Sequence, residues 1–304
     1  MNGIINVYKE QGFTSFDVVA KLRGILHEKK IGHTGTLDPE ATGVLPVCVG
    51  TATKVCEFLT DKDKTYEAVL RLGITTDTQD STGKILSDKT DWIGGLSENE
   101  ITDTIMGFVG NYEQIPPMYS ARKVGGKKLY ELARAGVEIE RKAENVTIYS
   151  VQILEINIPY VKFIVHCSKG TYIRTLCADI GDRLGTGGVM DNLKRTQAGV
   201  FTLKTANTLS EIEELVKQDK IQEILLPPDC LFPEFPRLHI IPESQKLLQN
   251  GNKLLPEDFL ENPQENADFR VLVYDANNRF YAIYEYDKTS GFYKVRKMFG
   301  AGKL

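Results

Sequence analysis

A glycine- and threonine-rich stretch over residues 31–46 carries one histidine and one aspartate, His33 and Asp38. Its three glycines disfavour a regular element, because a glycine inside a helix costs about 1 kcal/mol relative to alanine. Asp38 stands directly before Pro39, which favours an extended backbone at Asp38 and interrupts any helix. The pattern predicts a shaped loop that presents both side chains. A single carboxylate on such a loop can act as a nucleophile or a base, and it can equally be a turn residue.

Arg174 strengthens a chemical role for Asp38. It follows an alternating apolar segment at 160–167 and comes just before a predicted helix at 175–184, so its side chain can extend beyond the end of a sheet. A buried aspartate needs a partner, and a neighbouring arginine keeps it ionised by lowering its pKa. Tyr66, in a predicted strand at 64–72, is most simply a core residue.

Several other chemistries lack support. The loop has neither the G-K-[ST] ending of a P-loop nor the G-x-G-x-x-G spacing of a dinucleotide site. No third ligand accompanies His33 and Asp38, so no metal is predicted. The five cysteines form no C-x-x-C pair, which favours free thiols in a reducing compartment. No apolar run approaches about 18 residues, so we expect a cytoplasmic protein without a membrane partner.

The net charge of −4 is unevenly distributed along the chain. Residues 209–268 contain 13 acidic and 5 basic residues, so the rest of the chain carries a balance of +4. Basic residues outnumber acidic ones by 7 to 4 within 120–145 and by 7 to 3 within 269–304. Because phosphates meet local basic surface rather than total charge, the acidic total leaves an RNA partner open without favouring one.

Local signals predict the elements that must position the loop. Thr14 or Ser15 can begin a helix after the first strand, and Ser97 with Glu100 forms the pattern of a capping box. Between 120 and 145, a basic glycine hairpin runs into a short helix. The remaining predicted elements are strands at 3–9, 146–156 and 160–167 and helices at 51–59, 97–109 and 175–184.

The prolines that cluster over 226–236 predict a linker between domains. After it, segments 237–241, 244–249, 269–274 and 279–286 are predicted mostly as short strands, with a hairpin turn at 275–278. The chain therefore ends in a small β-rich domain of about 70 residues.

Five segments in order resemble the bacterial TruB family of tRNA pseudouridine synthases. The most specific is the loop Gly32-His33-Thr34-Gly35-Thr36-Leu37-Asp38-Pro39-x-Ala41-Thr42-Gly43-Val44-Leu45-Pro46. The others are Val7-Tyr8-Lys9-x3-Phe13-Thr14-Ser15, Asp63-Lys64-x-Tyr66, Pro117-Met118-Tyr119-Ser120-Ala121 with Gly126-Lys127-Lys128-Leu129-Tyr130, and Cys167-Ser168-Lys169-Gly170-Thr171-Tyr172-Ile173-Arg174. The resemblance extends to about Phe201, and the last seventy residues resemble a PUA-type RNA-binding domain more weakly.

The resemblance implies isomerisation of a uridine, position 55 in the T-loop of tRNA, to pseudouridine. Asp38 matches the family's nucleophilic aspartate and Arg174 its salt-bridge partner. Tyr66 matches the aromatic residue that stacks on the uracil and is implicated in proton removal. Whether Asp38 attacks the sugar, attacks the base ring or deprotonates stays open. Since atoms are only rearranged, no cofactor is expected.

The same resemblance implies a set of substrate-binding residues. His33 matches the residue that replaces the extruded base, and Tyr172 and Leu193 match positions that line the uridine pocket, Leu193 through its backbone. Lys9 belongs to the matching N-terminal segment and is also expected to bind the substrate. The basic hairpin corresponds to an RNA-gripping thumb at about 115–145.

We therefore expect an α+β fold: a mainly antiparallel mixed sheet flanked by helices, an inserted thumb and a small C-terminal β-rich, PUA-like domain. The expected domains are a catalytic domain at 1–230 and a PUA-like RNA-binding domain at 236–304. The expected partner is the T-stem-loop of tRNA, bound by a monomer without an obligatory protein partner. Two alternatives are the catalytic subunit of a guide-RNA particle and a chaperone that folds tRNA without catalysis.

Overall fold

The computed structural model of the chain describes residues 1–120, 122–137, 139–261 and 270–300, and within these it leaves out the side chains of Lys123, Val124, Lys127, Lys128 and Arg134. The strands are β1 (Gly3–Lys9), β2 (Ile31–His33), β3 (Thr42–Val49), β4 (Lys64–Leu72), β5 (Ile74–Thr76), β6 (Ile85–Asp88), β7 (Gly110–Gln114), β8 (Lys123–Val124), β9 (Lys127–Lys128), β10 (Glu144–Asn157), β11 (Tyr160–Cys167), β12 (Gly188–Ala198), β13 (Phe201–Thr202), β14 (Arg237–His239), β15 (Arg270–Tyr274), β16 (Phe280–Asp287) and β17 (Phe292–Met298). The helices are α1 (Ser15–Leu26), α2 (Cys56–Thr60), α3 (Glu98–Met106), α4 (Leu129–Arg134), α5 (Ile173–Arg183), α6 (Leu209–Lys217) and α7 (Gln245–Gln249).

The main sheet has nine strands. Seven follow the order β1-β3-β12-β4-β11-β10-β7, and β2 and β13 add to β3 and β12. Among the described strands of this sheet, all pairings are antiparallel except that of β12 with β3. Alternate residues of the central strand β4 are buried, as a period of two predicts. The predicted α+β class, with a mainly antiparallel mixed sheet and flanking helices, is confirmed.

Helix starts agree with the capping signals. Thr14 caps α1 and Ser97 caps α3, each through a capping box. Helix α5 differs from its prediction, because it begins at Ile173 and so includes Arg174 in its first turn. Ile173 joins the buried apolar face of α5, and burying this side chain extends the helix toward the sheet. The helix predicted at 51–59 is instead a 3-10 segment followed by α2.

The C-terminal β-rich domain forms a sheet in the order β14-β15-β16-β17. The strand predicted at 244–249 is wrong, because α7 occupies this segment. Pro242 starts a 3-10 turn that leads into the helix, and the Ser244 hydroxyl donates to the Asp258 carboxylate, which fixes the turn. Strand β17, not predicted, pairs antiparallel with β16.

An apolar cluster joins the C-terminal sheet to the main sheet. Val44 and Cys48 of β3 pack in the same cluster as Leu272 of β15 and Ile283 of β16. Strand β3 therefore connects the glycine-rich loop to the second domain. The division at 230 and 236 stays a prediction. Within the described residues, no helix is long and apolar enough to cross a membrane.

Candidate active site

The glycine-rich loop lies between β2 and β3, over residues 34–41 instead of the predicted 31–46, and is held by hydrogen bonds to β3 and to the start of α1. The Thr34 N–H donates to the Pro46 carbonyl at 3.1 Å, and the Ser15 hydroxyl accepts from the Leu37 N–H at 2.9 Å. Gly43 has a φ of +103°, and a Cβ there would lie 2.2 Å from the Arg195 carbonyl oxygen. Only glycine fits this position, so β3 can approach β12 closely where the loop ends.

Asp38 and Arg174, 136 residues apart in sequence, meet in the structure. The Arg174 Nε lies 2.9 Å from Asp38 Oδ2, and Arg174 NH2 donates to Asp38 Oδ1 at 3.2 Å. The Arg174 side chain is 6% exposed, whereas that of Asp38 is 35% exposed. The guanidinium therefore binds the carboxylate from the protein interior in the bidentate geometry typical of arginine. The carboxylate stays accessible to solvent.

Arg174 is also held by two further segments. Its NH2 donates to the Tyr119 carbonyl at 2.8 Å and its NH1 to the Thr78 carbonyl at 3.2 Å. NH1 also lies 4.0 Å from Asp80 Oδ2. Asp80 is a site residue that was not predicted from the sequence, because residues 73–84 have the polar composition of a turn. The excess of threonine and aspartate over residues 75–82 is the signal that could have found it.

The pKa of the Asp38 carboxyl is raised above its usual value. Burial is the largest cause, and the nearby Asp80 carboxylate raises it further, while the Arg174 guanidinium opposes both. The ionised form of Asp38 is therefore lost at a higher pH than for an ordinary aspartate.

Replacement of Asp80 by asparagine should slow the reaction and shift its acid limb. Without the Asp80 charge, the Arg174 guanidinium loses one of the contacts that hold it beside Asp38, and we expect the poorer orientation to lower the rate by about ten-fold, or about 1.4 kcal/mol. Asp80 raises the pKa of Asp38, so its loss should lower that pKa and move the acid limb to lower pH. Single-turnover rates across pH measure both effects. Asp77→Asn is the control, since Asp77 accepts from the Lys84 N–H in the same segment. An unmoved acid limb would contradict the assignment.

Tyr66 lies on β4 directly opposite Arg195 of β12. Arg195 is 1% exposed; its Nε donates to the Val44 carbonyl at 2.7 Å and its NH2 to the Gly35 carbonyl at 3.1 Å. Burial raises the pKa of Tyr66, and the positive charge of the Arg195 guanidinium opposes part of that rise. Arg195 thus ties the loop to the tyrosine. Arg195 is not among the site residues predicted from the sequence.

His33 ends β2 at the start of the loop and is half-buried. Its Nδ1 is buried without a hydrogen-bond partner among the described residues. Burial, with a smaller contribution from Arg195, lowers the pKa of His33. The ring is therefore neutral at pH 7.

Lys9 is 0% exposed. Its Nζ donates to the carbonyls of Glu10, Phe13 and Pro39 at 3.1, 2.6 and 2.9 Å. Burial lowers the pKa of Lys9 to about 8, although Asp38 and Glu40 oppose it. Lys9 therefore holds the loop at the residue after Asp38, and its direct contact with a substrate stays a prediction.

The activity should fall as the pH rises through about 8, because Lys9 then loses a proton and with it a donor to the loop. Lys9→Met imitates the neutral form, so we expect it to be slow at all pH values and to lack this alkaline limb. Single-turnover rates between pH 6.5 and 9.5 measure the effect. Lys64 also has a pKa lowered to about 8 by burial, so Lys64→Met serves as the matched variant. A Lys9→Met profile that keeps the same alkaline limb would contradict the assignment to Lys9.

The two predicted pocket residues lie near these groups in the fold. Tyr172 is half-buried and immediately precedes α5, two residues before Arg174. Leu193 pairs with Ala68 of β4, and it shares one face of β12 with Arg195 because side chains alternate along a strand. Their contact with a uridine stays a prediction.

The predicted thumb occupies the segment between β7 and β10. It contains β8, β9 and α4, and the Arg122 guanidinium pairs with the Glu144 carboxylate at its end. Ala121 and Glu138 of this segment lie outside the described residues. Over the parts of the chain that the structure describes, no group of three or more His, Cys, Asp or Glu side chains could hold a metal ion.

Family profiles and proteins of known name match most of the chain. A profile of the TruB family pseudouridylate synthase N-terminal domain matches residues 23–173, and one of the tRNA pseudouridylate synthase B C-terminal domain matches residues 174–232. Proteins named tRNA pseudouridine synthase B are similar over nearly the full length. The protein of Lachnoclostridium phytofermentans is 53% identical over 98% of this chain and 100% of its own length. The protein of Bacillus cereus is 41% identical over 98% of this chain and 97% of its own length.

Solved structures agree with these matches. A Cbf5-Nop10-Gar1 complex contains a chain with a TM-score of 0.73 and 27% identity, over 98% of this chain and 84% of that one. An H/ACA RNP bound to a substrate RNA containing 2'-deoxyuridine gives a TM-score of 0.73 at 25% identity, with the same coverage.

Proposed function

This chain belongs to the TruB family of pseudouridylate synthases, and we propose that it isomerises the uridine at position 55, in the T-loop of tRNA, to pseudouridine. The observation that carries the proposal is the Asp38 carboxylate, held from inside by Arg174 and open to the outside. The alternatives of a folding chaperone and a guide-RNA subunit are not favoured, because the relatives that match nearly the whole chain are named tRNA pseudouridine synthase B.

The first step is exposure of the target base. A stacked base cannot reach a loop carboxylate, so the nucleotide must flip out, at a cost of a few kcal/mol. We assign His33 to the space that the base vacates. A neutral, half-buried ring at the edge of the loop can stack on neighbouring bases without a charge to desolvate.

The second step breaks the bond between C1′ of the ribose and N1 of uracil. Positive character develops on the sugar, which a nearby carboxylate stabilises or captures, and we assign this role to Asp38. Arg174 keeps the carboxylate ionised and oriented. The freed uracil then rotates against a flat wall, for which we propose the rings of Tyr66 and Tyr172, with the Leu193 backbone as a further contact.

The third step joins C1′ to C5 of uracil. The C5 proton leaves, and N1 gains a proton in its place, so atoms and electrons balance without a redox partner. We propose that Tyr66 assists removal of the C5 proton. The Arg195 guanidinium facing Tyr66 stabilises negative charge on the phenolic oxygen during that transfer.

RNA binding extends beyond the uridine pocket. We propose that the basic thumb at about 115–145 grips the T-stem-loop and that residues 236–304 form a PUA-like domain which contributes to RNA binding, with 1–230 as the catalytic domain. We further propose that the chain acts in the cytoplasm as a monomer, although the Cbf5 structure that it resembles contains Nop10 and Gar1.

The purified chain alone, incubated with a T-stem-loop transcript tritiated at C5 of its uridines, tests the proposal. Because the new bond replaces the C5 hydrogen, we expect release of one equivalent of tritium per RNA. A stem-loop with cytidine at the target position should release none. Absence of release from an RNA that the chain binds would overturn the proposed activity, and release only after addition of a second protein would overturn the independence from partners.

A further inference from the structure

Gln114 is a buried side chain that the mechanism above does not use. It is the last residue of β7, directly before the thumb segment, and is 1% exposed. Its Nε2 donates to the Tyr172 carbonyl at 3.0 Å, and its Oε1 accepts from the Tyr172 N–H at 2.7 Å. One carboxamide therefore satisfies both backbone groups of one residue 58 positions later in the chain.

Tyr172 needs such a partner because of its place in the fold. It occupies the N-cap position of α5, and its own side chain makes no capping hydrogen bond. The first N–H groups of a helix have no partner inside it, and a backbone group buried without a partner costs free energy. Gln114 supplies the missing partner of the Tyr172 N–H from a different strand. It also adds a second donor to the Tyr172 carbonyl, which already accepts from the Leu176 N–H at 3.0 Å, and so ties the start of α5 to the sheet.

The start of α5 carries the group that orients the reactive carboxylate. Arg174 is the second residue of α5, two positions after the clamped Tyr172. The Arg174 NH2 also donates to the Tyr119 carbonyl at 2.8 Å, so residues 114–119 contact the beginning of α5 at two points. A shift of Tyr172 would move both its ring and the guanidinium that holds Asp38.

We propose that Gln114 is a positioning residue for the reaction: by holding both backbone groups of Tyr172, it fixes the start of α5 and aims Arg174 at Asp38. The inference rests on the proposed isomerisation of uridine. It assigns Gln114 no contact with the RNA.

Arg183 offers a control on the same helix, at the end away from Tyr172. Its guanidinium lies 4.0 Å from the centre of the Phe108 ring, just before β7, and its NH1 donates to the Gly107 carbonyl at 3.4 Å. Arg183→Ala therefore removes contacts between α5 and the segment that leads into β7 without changing the contacts of Gln114 or Tyr172. Gln114→Met removes both hydrogen bonds at similar side-chain volume.

Single-turnover tritium release at saturating enzyme, tRNA affinity by filter binding, and the Tm should be compared for these variants. We expect Gln114→Met to be slowed by roughly 10- to 100-fold, because a displacement of about 1 Å can cost about 10²-fold in rate. Its affinity for tRNA should stay within about three-fold. Arg183→Ala should lose Tm but keep its rate within about two-fold.

Gln114→Glu gives a second and independent readout. An ionised glutamate would accept from the Tyr172 N–H but repel the Tyr172 carbonyl, whereas a protonated one would donate and accept as the carboxamide does. Burial favours the protonated form. The rate of Gln114→Glu relative to wild type should therefore rise as the pH falls, while the Gln114→Met ratio stays constant with pH.

Three results would overturn the inference: a Gln114→Met rate within two-fold of wild type, a Gln114→Glu ratio that does not change with pH, or an Arg183→Ala variant slowed as much as Gln114→Met. Failure of the proposed function looks different, because the wild-type chain would then release no tritium from bound tRNA. That result would remove the reaction that Gln114 is proposed to serve.

Discussion

Replacement of Asp38 by asparagine should abolish pseudouridine formation while tRNA still binds. Asparagine has nearly the same shape and keeps an oxygen that can accept from Arg174, which now contacts both Asp38 oxygens. It lacks the negative charge that stabilises or captures the sugar cation. We expect a fall in rate of at least about 10³-fold, or about 4 kcal/mol of transition-state stabilisation.

Single-turnover tritium release and filter binding, performed on the same preparation, separate the two effects of Asp38→Asn. The tRNA affinity should stay within about three-fold of wild type, because the side chain is one small part of the RNA-contacting surface. Asp61→Asn is a matched control, since Asp61 is exposed and pairs with Lys169 at 2.7 Å. Retained isomerisation in Asp38→Asn would remove Asp38 from the mechanism.

Replacement of Arg174 by alanine should cost both activity and stability. The change leaves the Asp38 carboxylate without its guanidinium and also leaves the Thr78 and Tyr119 carbonyls without their donor. Breaking a buried ion pair typically costs 3–5 kcal/mol. Since the Asp38 side chain is 35% exposed, water screens part of this cost, and we expect a loss at or below the lower end of that range, about 2–3 kcal/mol of unfolding free energy.

The activity of Arg174→Ala should fall by about 10³-fold, because Asp38 then loses both its orientation and its ionising partner. Arg174→Lys keeps the charge but not the two-pronged geometry, and should recover only part of the rate. Arg183→Ala, on the same helix, removes a cation–π contact with Phe108 at 4.0 Å and is the control for general destabilisation. Turnover of Arg174→Ala near that of Arg183→Ala would contradict the assigned role.

The parts of this fold that follow local rules could be predicted from the sequence. The strand pattern of β4 and the capping boxes at Thr14 and Ser97 depend on neighbours within a few residues. The irregular loop around Asp38 follows such rules only over 34–41, because β2 and β3 include residues 31–33 and 42–46 of the predicted loop, with Gly32 and Gly43. Segment 244–249 shows the limit, because five or six residues are too few to distinguish a period of 2 from one of 3.6.

The parts of the site that depend on long-range contacts could not be predicted. Arg195 reaches the Gly35 carbonyl across 160 positions, and Arg174 approaches Asp80 only because the turn at 77–82 packs beside α5. The sequence around Gln114 does not indicate that its carboxamide forms hydrogen bonds with the backbone of Tyr172. The family resemblance supplied Asp38, Arg174 and their pairing, but not these supporting contacts, whose partners become neighbours only after folding.

The most direct test of the proposed function is to map pseudouridine in an unmodified tRNA transcript before and after incubation with the purified wild-type chain. We expect one new pseudouridine, at the T-loop uridine of position 55, formed without any added cofactor or protein. No pseudouridine in a tRNA that binds, or pseudouridine only at other positions, would contradict it.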